Sequence, residues 1–270
     1  MANCLSTLAV AGLIGCVAII YGSVGQAGGT AFLAVMAFAG FSAAEMRPTA
    51  LVLNIVAAGY STWRLQRREA IDWTAVRVLS ISSLPMAYLG GRIQMKGSVY
   101  FILTGLVLLV AAGLMLFRAN GNSGCDPSIH LFAALFVGAV AGLLSGLTGV
   151  GGGVFLVPQL LLFGWASAKK AAAISPPFIA CNSILGLAGA LGSGQNVAPG
   201  FAVYSIAALI GAIIGTNIAG WISERVARYV LAGILMFAAA GQTVLGPGPI
   251  LRQIGFGINL QSASVGCDGV

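Results

Sequence analysis

Long apolar stretches without a charged side chain alternate with short polar turns along this chain. They cover residues 1–44, 97–117, 129–168 and 171–223. Each is long enough for at least one membrane-spanning helix of about 20 residues. A transmembrane β-barrel would instead show segments of about 10 residues with alternating polarity, and this pattern is absent. The chain is therefore predicted to be an all-α integral membrane protein that crosses the bilayer several times.

Turn signals divide the apolar pattern into about ten helical segments, which fall into two sets of five. The segments lie near residues 5–21, 30–41, 48–63, 74–91, 97–117, 130–146, 153–164, 171–192, 200–221 and 226–246. The polar, turn-rich stretch 118–127 separates the two sets. We predict a first membrane repeat at 1–122, a second at 123–250 and a C-terminal tail at 251–270.

A glycine-rich interruption occurs once in each set. We call residues 25–30 the first glycine break and residues 148–153 the second glycine break. The two sets superimpose at a shift of about 124 residues, or slightly more after a small insertion in the second set. The shift pairs Gly22 with Gly146, Gly25 with Gly149, Gly28 with Gly152, Gly29 with Gly153, Gly40 with Gly164, Pro48 with Pro176 and Asn54 with Asn182. In hydrocarbon, irregular backbone is tolerated only where it is buried in protein or lines a cavity, so paired breaks point to a binding site.

Composition agrees with a membrane protein and narrows its chemistry. Charged residues make up 7% of the chain, against about 25% in a typical soluble domain. The net charge of +7 comes from short basic clusters between apolar segments, as in cytoplasmic loops, so no nucleic-acid partner is expected. The five cysteines show no CxxC spacing, and we predict no metal site and no cofactor.

The positions of the basic residues favour one membrane topology. If each glycine break joins two helices in a hairpin whose ends lie on one side, nine basic residues share one face, and the other face carries Arg47, Arg92, Lys96 and Arg252. If each break instead joins two halves of a single crossing, the basic residues divide almost evenly. The positive-inside rule favours hairpins, an odd number of crossings and inverted repeats, with both termini outside the inner membrane and with the 64–72 loop and the linker inside.

Each break precedes an apolar helix, which begins near Thr30 or near Val154. A helix N-terminus offers unpaired N–H groups and about half a positive charge. Clustered glycines let a ligand approach these amides, which makes both breaks candidate anion cradles. The alternative is that the glycines only allow close helix packing, as predicted for Gly211 with Gly215.

Several polar side chains accompany the breaks. Asn54 and Asn182 recur in otherwise apolar helices, where they either tie helices together or face the substrate. The candidate substrate-binding residues are Gly25, Gln26, Gly28, Gly29, Thr30, Asn54, Thr148, Gly149, Gly151, Gly152, Gly153 and Asn182. Ser145 is a further possible donor. Pro48, Pro176 and Pro177 either begin helices or shape the wall of the pathway.

The sequence argues against enzyme and proton-carrier chemistry. No Asp or Glu lies within an apolar core, and Glu45 is the nearest candidate. His130, the only histidine, is expected at the membrane interface. Ser145 and His130 lie about four helical turns apart on one predicted segment, so they cannot act together as nucleophile and base. We therefore predict that the chain is not an enzyme.

Five motifs resemble the sulfite exporter TauE/SafE family over about residues 8–246. They are Val24-Gly-Gln-Ala-Gly-Gly-Thr30, Arg47-Pro-Thr-Ala-Leu-Val-Leu-Asn54, Leu147-Thr-Gly-Val-Gly-Gly-Gly-Val-Phe-Leu-Val-Pro158, Lys169-Lys-Ala-Ala-Ala-Ile-Ser175 and Cys181-Asn-Ser183. The resemblance implies a secondary transporter for sulfur-containing anions or organic acids. Ala27, where related first repeats often carry glycine, and the Pro176-Pro177 pair, where small residues are commoner, depart from the family pattern.

The leading hypothesis is an inner-membrane permease for a small sulfur-containing anion such as sulfite or an organosulfonate. Its partners would be the anion and the lipid bilayer, and the sequence leaves homo-oligomer formation open. Because two helix N-termini supply about one positive charge in total, a monoanion is expected. The alternative is a non-transporting integral-membrane assembly or anchoring subunit. A channel ranks third, since no ring of charged residues is visible.

Overall fold

The computed structural model describes residues 2–23, 25–95, 99–100, 102–106, 109–110, 113, 131–218 and 233. These residues form helices and turns, and the described part contains no strand. The all-helical class predicted from the sequence is confirmed there. Eight helices have described bounds: α1 (Ala2–Ser23), α2 (Gly29–Phe38), α3 (Ala43–Gln66), α4 (Trp73–Arg92), α5 (Leu131–Thr148), α6 (Gly153–Leu162), α7 (Ala168–Gly192) and α8 (Phe201–Ile218). The described residues between positions 99 and 113 are also helical.

The order of helix lengths repeats along the chain. A long helix, a helix of 10 residues and two further long helices occur in α1–α4 and again in α5–α8. The short helices α2 and α6 also end in the same way. Gly40 and Gly164 adopt left-handed φ angles of 79° and 67°. The next amides, of Phe41 and Trp165, donate 6→1 hydrogen bonds of 3.1 and 2.9 Å back into the short helices.

The prolines do not begin helices, so that interpretation is wrong. Pro48 lies inside α3, and Pro176 and Pro177 lie inside α7. A capping box instead sets the start of α3. In it, the Glu45 carboxylate accepts hydrogen bonds from the amide and the hydroxyl of Ser42. Because proline has no N–H, the helical carbonyl four residues before it lacks its usual donor.

Glycines bring several helix pairs into backbone contact. A Cβ atom added to Gly142 of α5 would overlap the backbone of Ser83 in α4, and one on Gly91 would overlap Gly186 of α7. A Cβ atom on Gly211 of α8 would likewise overlap the Gly15 carbonyl of α1. The predicted close packing at Gly211 and Gly215 is confirmed, and it brings α8 against α1.

Three of the described helices are long and apolar enough to cross a bilayer: Leu131–Thr148, Lys169–Gly192 and Phe201–Ile218. Shorter apolar helices cover Thr7–Ser23 and Gly29–Phe38. Apart from Gly233, the predicted tenth segment lies outside the described residues, as do the linker 118–127, His130 and the tail 251–270.

Candidate functional site

Both predicted breaks separate helices, and their backbones depend on glycine. Gly25 and Gly28 in the first break have φ angles of 75° and 93°. Gly149, Gly151 and Gly152 in the second break have φ angles of 83°, 85° and 79°. Side chains of L-residues rarely tolerate this left-handed region, whereas glycine adopts it readily. The glycines are therefore required by the local backbone as well as by packing.

The two breaks differ in backbone conformation at one pair of corresponding positions. Gly151 has a left-handed φ, whereas Ala27, its counterpart at the 124-residue shift, does not. Ala27 is 2% exposed and belongs to a small apolar cluster with Ile179 of α7 and Ala57 of α3. The first break therefore carries a methyl group where the second has only backbone.

The chain turns back on itself at each break. In the second break, a Cβ atom on Gly152 would lie 3.3 Å from the carbonyl oxygen of Ala141, which belongs to the preceding helix. A continuous helix would place residues 11 positions apart about 16 Å from each other along the axis. In the first break, the Tyr21 and Thr30 hydroxyls bond across the turn at 2.7 Å. Each short helix therefore starts beside the helix that precedes it.

The two breaks meet at Asn54, near the middle of α3. Asn54 Nδ2 donates a 3.1 Å hydrogen bond to the Gly149 carbonyl. A Cβ atom on Gly29 would overlap the Val150 carbonyl and would lie 2.6 Å from Asn54 Nδ2. A Cβ atom on Gly151 would lie 2.9 Å from the same nitrogen. One buried amide therefore touches both breaks, and Gly29 of the first break contacts the backbone of the second.

Three buried serine hydroxyls surround the second break. Ser183 Oγ faces Gly151 and Ser175 Oγ faces Gly153, at 3.2 and 2.6 Å from the positions that Cβ atoms would take. The Cβ atom of Ser145 lies 3.3 Å from the corresponding point on Gly152. All three serines are 0% exposed, and their hydroxyls have no hydrogen-bond partner among the described residues. A hydroxyl can donate or accept, so these groups are available to a ligand.

The short helices begin at this meeting point without side-chain caps. Gly28 and Gly152 are the N-cap residues of α2 and α6, and glycine has no side chain that could accept a hydrogen bond from the first-turn amides. The first amides of each helix therefore retain the donor capacity and the partial positive charge of a helix N-terminus. In α6 the Phe155 amide is an exception, since it donates to the Gly152 carbonyl at 3.1 Å.

The other predicted residues are buried but are engaged elsewhere. The Thr30 hydroxyl bonds to Tyr21, and the Thr148 hydroxyl donates to the Leu144 carbonyl at 2.6 Å. Asn182 Nδ2 donates to the Phe178 carbonyl of its own helix at 2.9 Å. The Oδ1 atom of Asn182 has no partner among the described residues.

Gln26 and Gly25 complete the predicted set. Gln26 is 3% exposed, and its Oε1 atom has no partner in the described part of the chain. Gly25 packs against the Ala172 carbonyl of α7, which is 2.9 Å from the position of an added Cβ atom. That carbonyl lacks its helical donor because residue 176 is proline.

The sequence did not single out Ser175 or Ser183 as site residues. They occupy positions i and i+8 on α7, with Ile179 between them, and Ile179 also contacts Gly151 and Gly153. This i, i+4, i+8 spacing defines one helix face and is the signal that identifies them. Within the described residues, no group of three His, Cys, Asp or Glu side chains is arranged to hold a metal ion.

Comparison with known proteins identifies the family. The family model described as sulfite exporter TauE/SafE matches residues 8–241. The chain belongs to the TauE/SafE family. The resemblance seen in the sequence motifs is confirmed.

Curated relatives of this TauE/SafE protein agree on its general role. It is 36% identical over 231 residues to the probable membrane transporter protein y4hK of Sinorhizobium fredii, covering 82% of this chain and 91% of the relative. It is 29% identical over 142 residues to the probable membrane transporter protein MJ0441 of Methanocaldococcus jannaschii, covering 52% and 53%. This TauE/SafE protein is a multi-pass membrane transporter and not an enzyme.

Proposed function

We propose that the protein is a secondary transporter that moves a small sulfur-containing monoanion, such as hydrogen sulfite or an organosulfonate, across the bacterial inner membrane. The family description supports sulfur oxyanion chemistry, while the relatives' names specify only a membrane transporter. The observation that carries the proposal is the meeting of two uncapped helix N-termini around Asn54, beside three buried hydroxyls without partners.

The charge of this region favours a monoanion. Two helix N-termini supply about one positive charge in total, and neither break contains Lys or Arg. A dianion would therefore bring about one uncompensated charge into a dehydrated site, which is costly even after relaxation. The protonation of the substrate itself would then provide coupling without a membrane carboxylate.

We expect a permanently monovalent sulfonate to be taken up in preference to a disulfonate of similar size. The measurement uses liposomes that contain the purified full chain, with initial uptake rates recorded across pH and with empty liposomes as the control. Preference for the disulfonate without a co-transported cation would contradict the charge argument.

We further propose that the two repeats are inverted and that alternating access results from rocking them around the breaks. Reciprocal packing supports this arrangement. Gly149 of the second break packs on Arg47 near the start of α3, and Gly25 of the first break packs on Ala172 near the start of α7. Each break thus packs near the start of a long helix from the other repeat, as a two-fold axis between the breaks would require.

The proposed topology predicts opposite accessibility at two ends of the protein. In a background without the native cysteines, Gln66→Cys at the end of α3 should resist impermeant thiol reagents in intact cells. Asn196→Cys, in the turn between α7 and α8, should react readily. Both wild-type residues are exposed. Strong labelling at position 66 together with protection at position 196 would overturn the proposed orientation.

An assembly or anchoring subunit is the competing function. The close glycine contacts between helices are also compatible with a scaffold. Saturable anion flux in liposomes supports the transporter, whereas flux at the level of empty liposomes with stable co-purification of a partner supports the scaffold.

A further inference from the structure

A cavity of about 370 Å³ lies near the end of the protein where α3 begins and α4 ends. Its wall includes Glu45, Arg47, Gln94, Tyr100, Gln195 and Asn196. The Gln94 side chain donates to the Ser193 carbonyl and so joins the end of α4 to the turn that follows α7. The volume lies within the range of about 300–1,000 Å³ that is typical of small-molecule sites.

Arg47 supplies a buried positive charge beside this cavity. It is 2% exposed, and its guanidinium donates to the carbonyls of Gly90, Gly91 and Ile93 at the end of α4. These acceptors are neutral, and the Nε–H group has no partner among the described residues. No described carboxylate forms an ion pair with it. A buried charge without a counter-ion is unfavourable, and a bound anion would relieve this.

Glu45 is the opposing charge on the cavity wall, but its environment weakens its effect. Its carboxylate accepts hydrogen bonds from the Ser42 amide and hydroxyl, at 3.3 and 2.7 Å, in the first turn of α3. Glu45 is partly exposed, so water screens it, whereas the Arg47 charge is desolvated. The positive charge therefore dominates the inner end of the cavity.

The cavity adjoins the second glycine break. The backbone and Cγ of Arg47 pack against Gly149, and the Tyr100 hydroxyl donates a 2.7 Å hydrogen bond to the Thr148 carbonyl. Two residues that line the cavity thus contact the break directly. An anion leaving this cavity toward the membrane interior would next meet the second break.

We propose that this cavity is a second anion site, a vestibule that holds the acid group of a small organic anion beside Arg47 on its route to the glycine breaks. The vestibule extends the proposed transport function, because it would collect the same substrate. Its size accommodates an organosulfonate as well as an inorganic oxyanion.

The test measures binding of radiolabelled methanesulfonate to the full chain in phosphatidylcholine nanodiscs. The background variant Asn54→Asp places a carboxylate between the breaks, which should prevent anion binding there. The binding that remains then reports the vestibule alone. In this background, Asn196→Asp adds a negative charge to the wall and should weaken binding by about tenfold. Glu45→Gln removes a negative charge from the wall and keeps a residue suited to the capping box. It should therefore tighten methanesulfonate binding by about three- to tenfold. Thr74→Asp, at the opposite end of α4, is the matched control and should leave affinity unchanged.

Each other outcome has a defined meaning. If Asn196→Asp and Glu45→Gln change the methanesulfonate affinity no more than Thr74→Asp does, the vestibule is refuted. This conclusion holds even if liposomes show uptake. If phosphatidylglycerol nanodiscs abolish the binding even at high salt, which screens the negative surface charge of the bilayer, the cavity is a lipid headgroup site and the proposal is also refuted. If the opposite charge effects are observed but liposomes show no uptake, the vestibule stands and the transport function fails.

Discussion

Replacing Gly29 with alanine is expected to abolish anion uptake. The added methyl group would overlap the Val150 carbonyl and press on Asn54, so the two breaks could not keep their contact. Because the obstacle is backbone, the neighbour has no flexible side chain to move aside, and we expect a loss of about 1–3 kcal/mol in the free energy of unfolding. Initial uptake of labelled methanesulfonate into liposomes and thermal unfolding in detergent measure the two effects.

Gly59→Ala is the matched control for this substitution. Gly59 lies in α3, the helix that carries Asn54, and a Cβ atom there would meet nothing within 4 Å. Alanine at this helical position is expected to stabilise the protein by about 0.5–1 kcal/mol and to leave uptake unchanged. If Gly29→Ala retained uptake within about twofold of Gly59→Ala, contact between the breaks would not be needed for transport.

Replacing Asn54 with aspartate is expected to reduce uptake of a monovalent sulfonate by at least about 100-fold, since like charges repel strongly in a dehydrated site. The substitution preserves side-chain size but introduces a carboxylate where we place the anion. It would also neutralise part of the positive potential of the two helix N-termini. Initial rates in liposomes are the measurement, and size-exclusion profiles verify folding.

Gln66→Glu is the control for the added charge, because it lies at the exposed end of the same helix. We expect this variant to transport at the wild-type rate. Normal uptake by Asn54→Asp at neutral pH would mean that the anion does not pass between the breaks.

The short helices and the turns that flank them were predictable because their signals are local. Glycine is required wherever φ is left-handed, as at Gly28, Gly152, Gly40 and Gly164, so the sequence marks both ends of α2 and α6. The observed helices, Gly29–Phe38 and Gly153–Leu162, start within one residue of the predicted segments. The start of α3 was predicted too late, near Pro48, whereas a capping box at Ser42 sets it in the structure.

The polar residues of the site were less predictable because they depend on helix rotation. The sequence singled out Asn182, whereas Ser183, one residue and about 100° further around the helix, faces Gly151. Asn54 itself was identified, but its contact with both breaks requires α3 to pack against both of them.

Arg47 illustrates a second limit. The topology predicted from the basic residues places Arg47 on the outer face of the membrane, yet its side chain is buried against the end of α4. Its partners are backbone carbonyls more than 40 positions along the chain. No local sequence pattern predicts such a contact, because the C-terminal end of any helix offers the same unpaired backbone carbonyls.

The central claim is that both glycine breaks together bind the transported anion, and locating that anion tests it most directly. The measurement is a structure of the full chain with 2-bromoethanesulfonate, whose bromine is identified by anomalous scattering, under conditions in which the compound is taken up saturably by liposomes. We predict a bromine peak beside Asn54, between Gly29 and Gly151. Saturable uptake with bromine peaks only outside the two breaks would contradict the account.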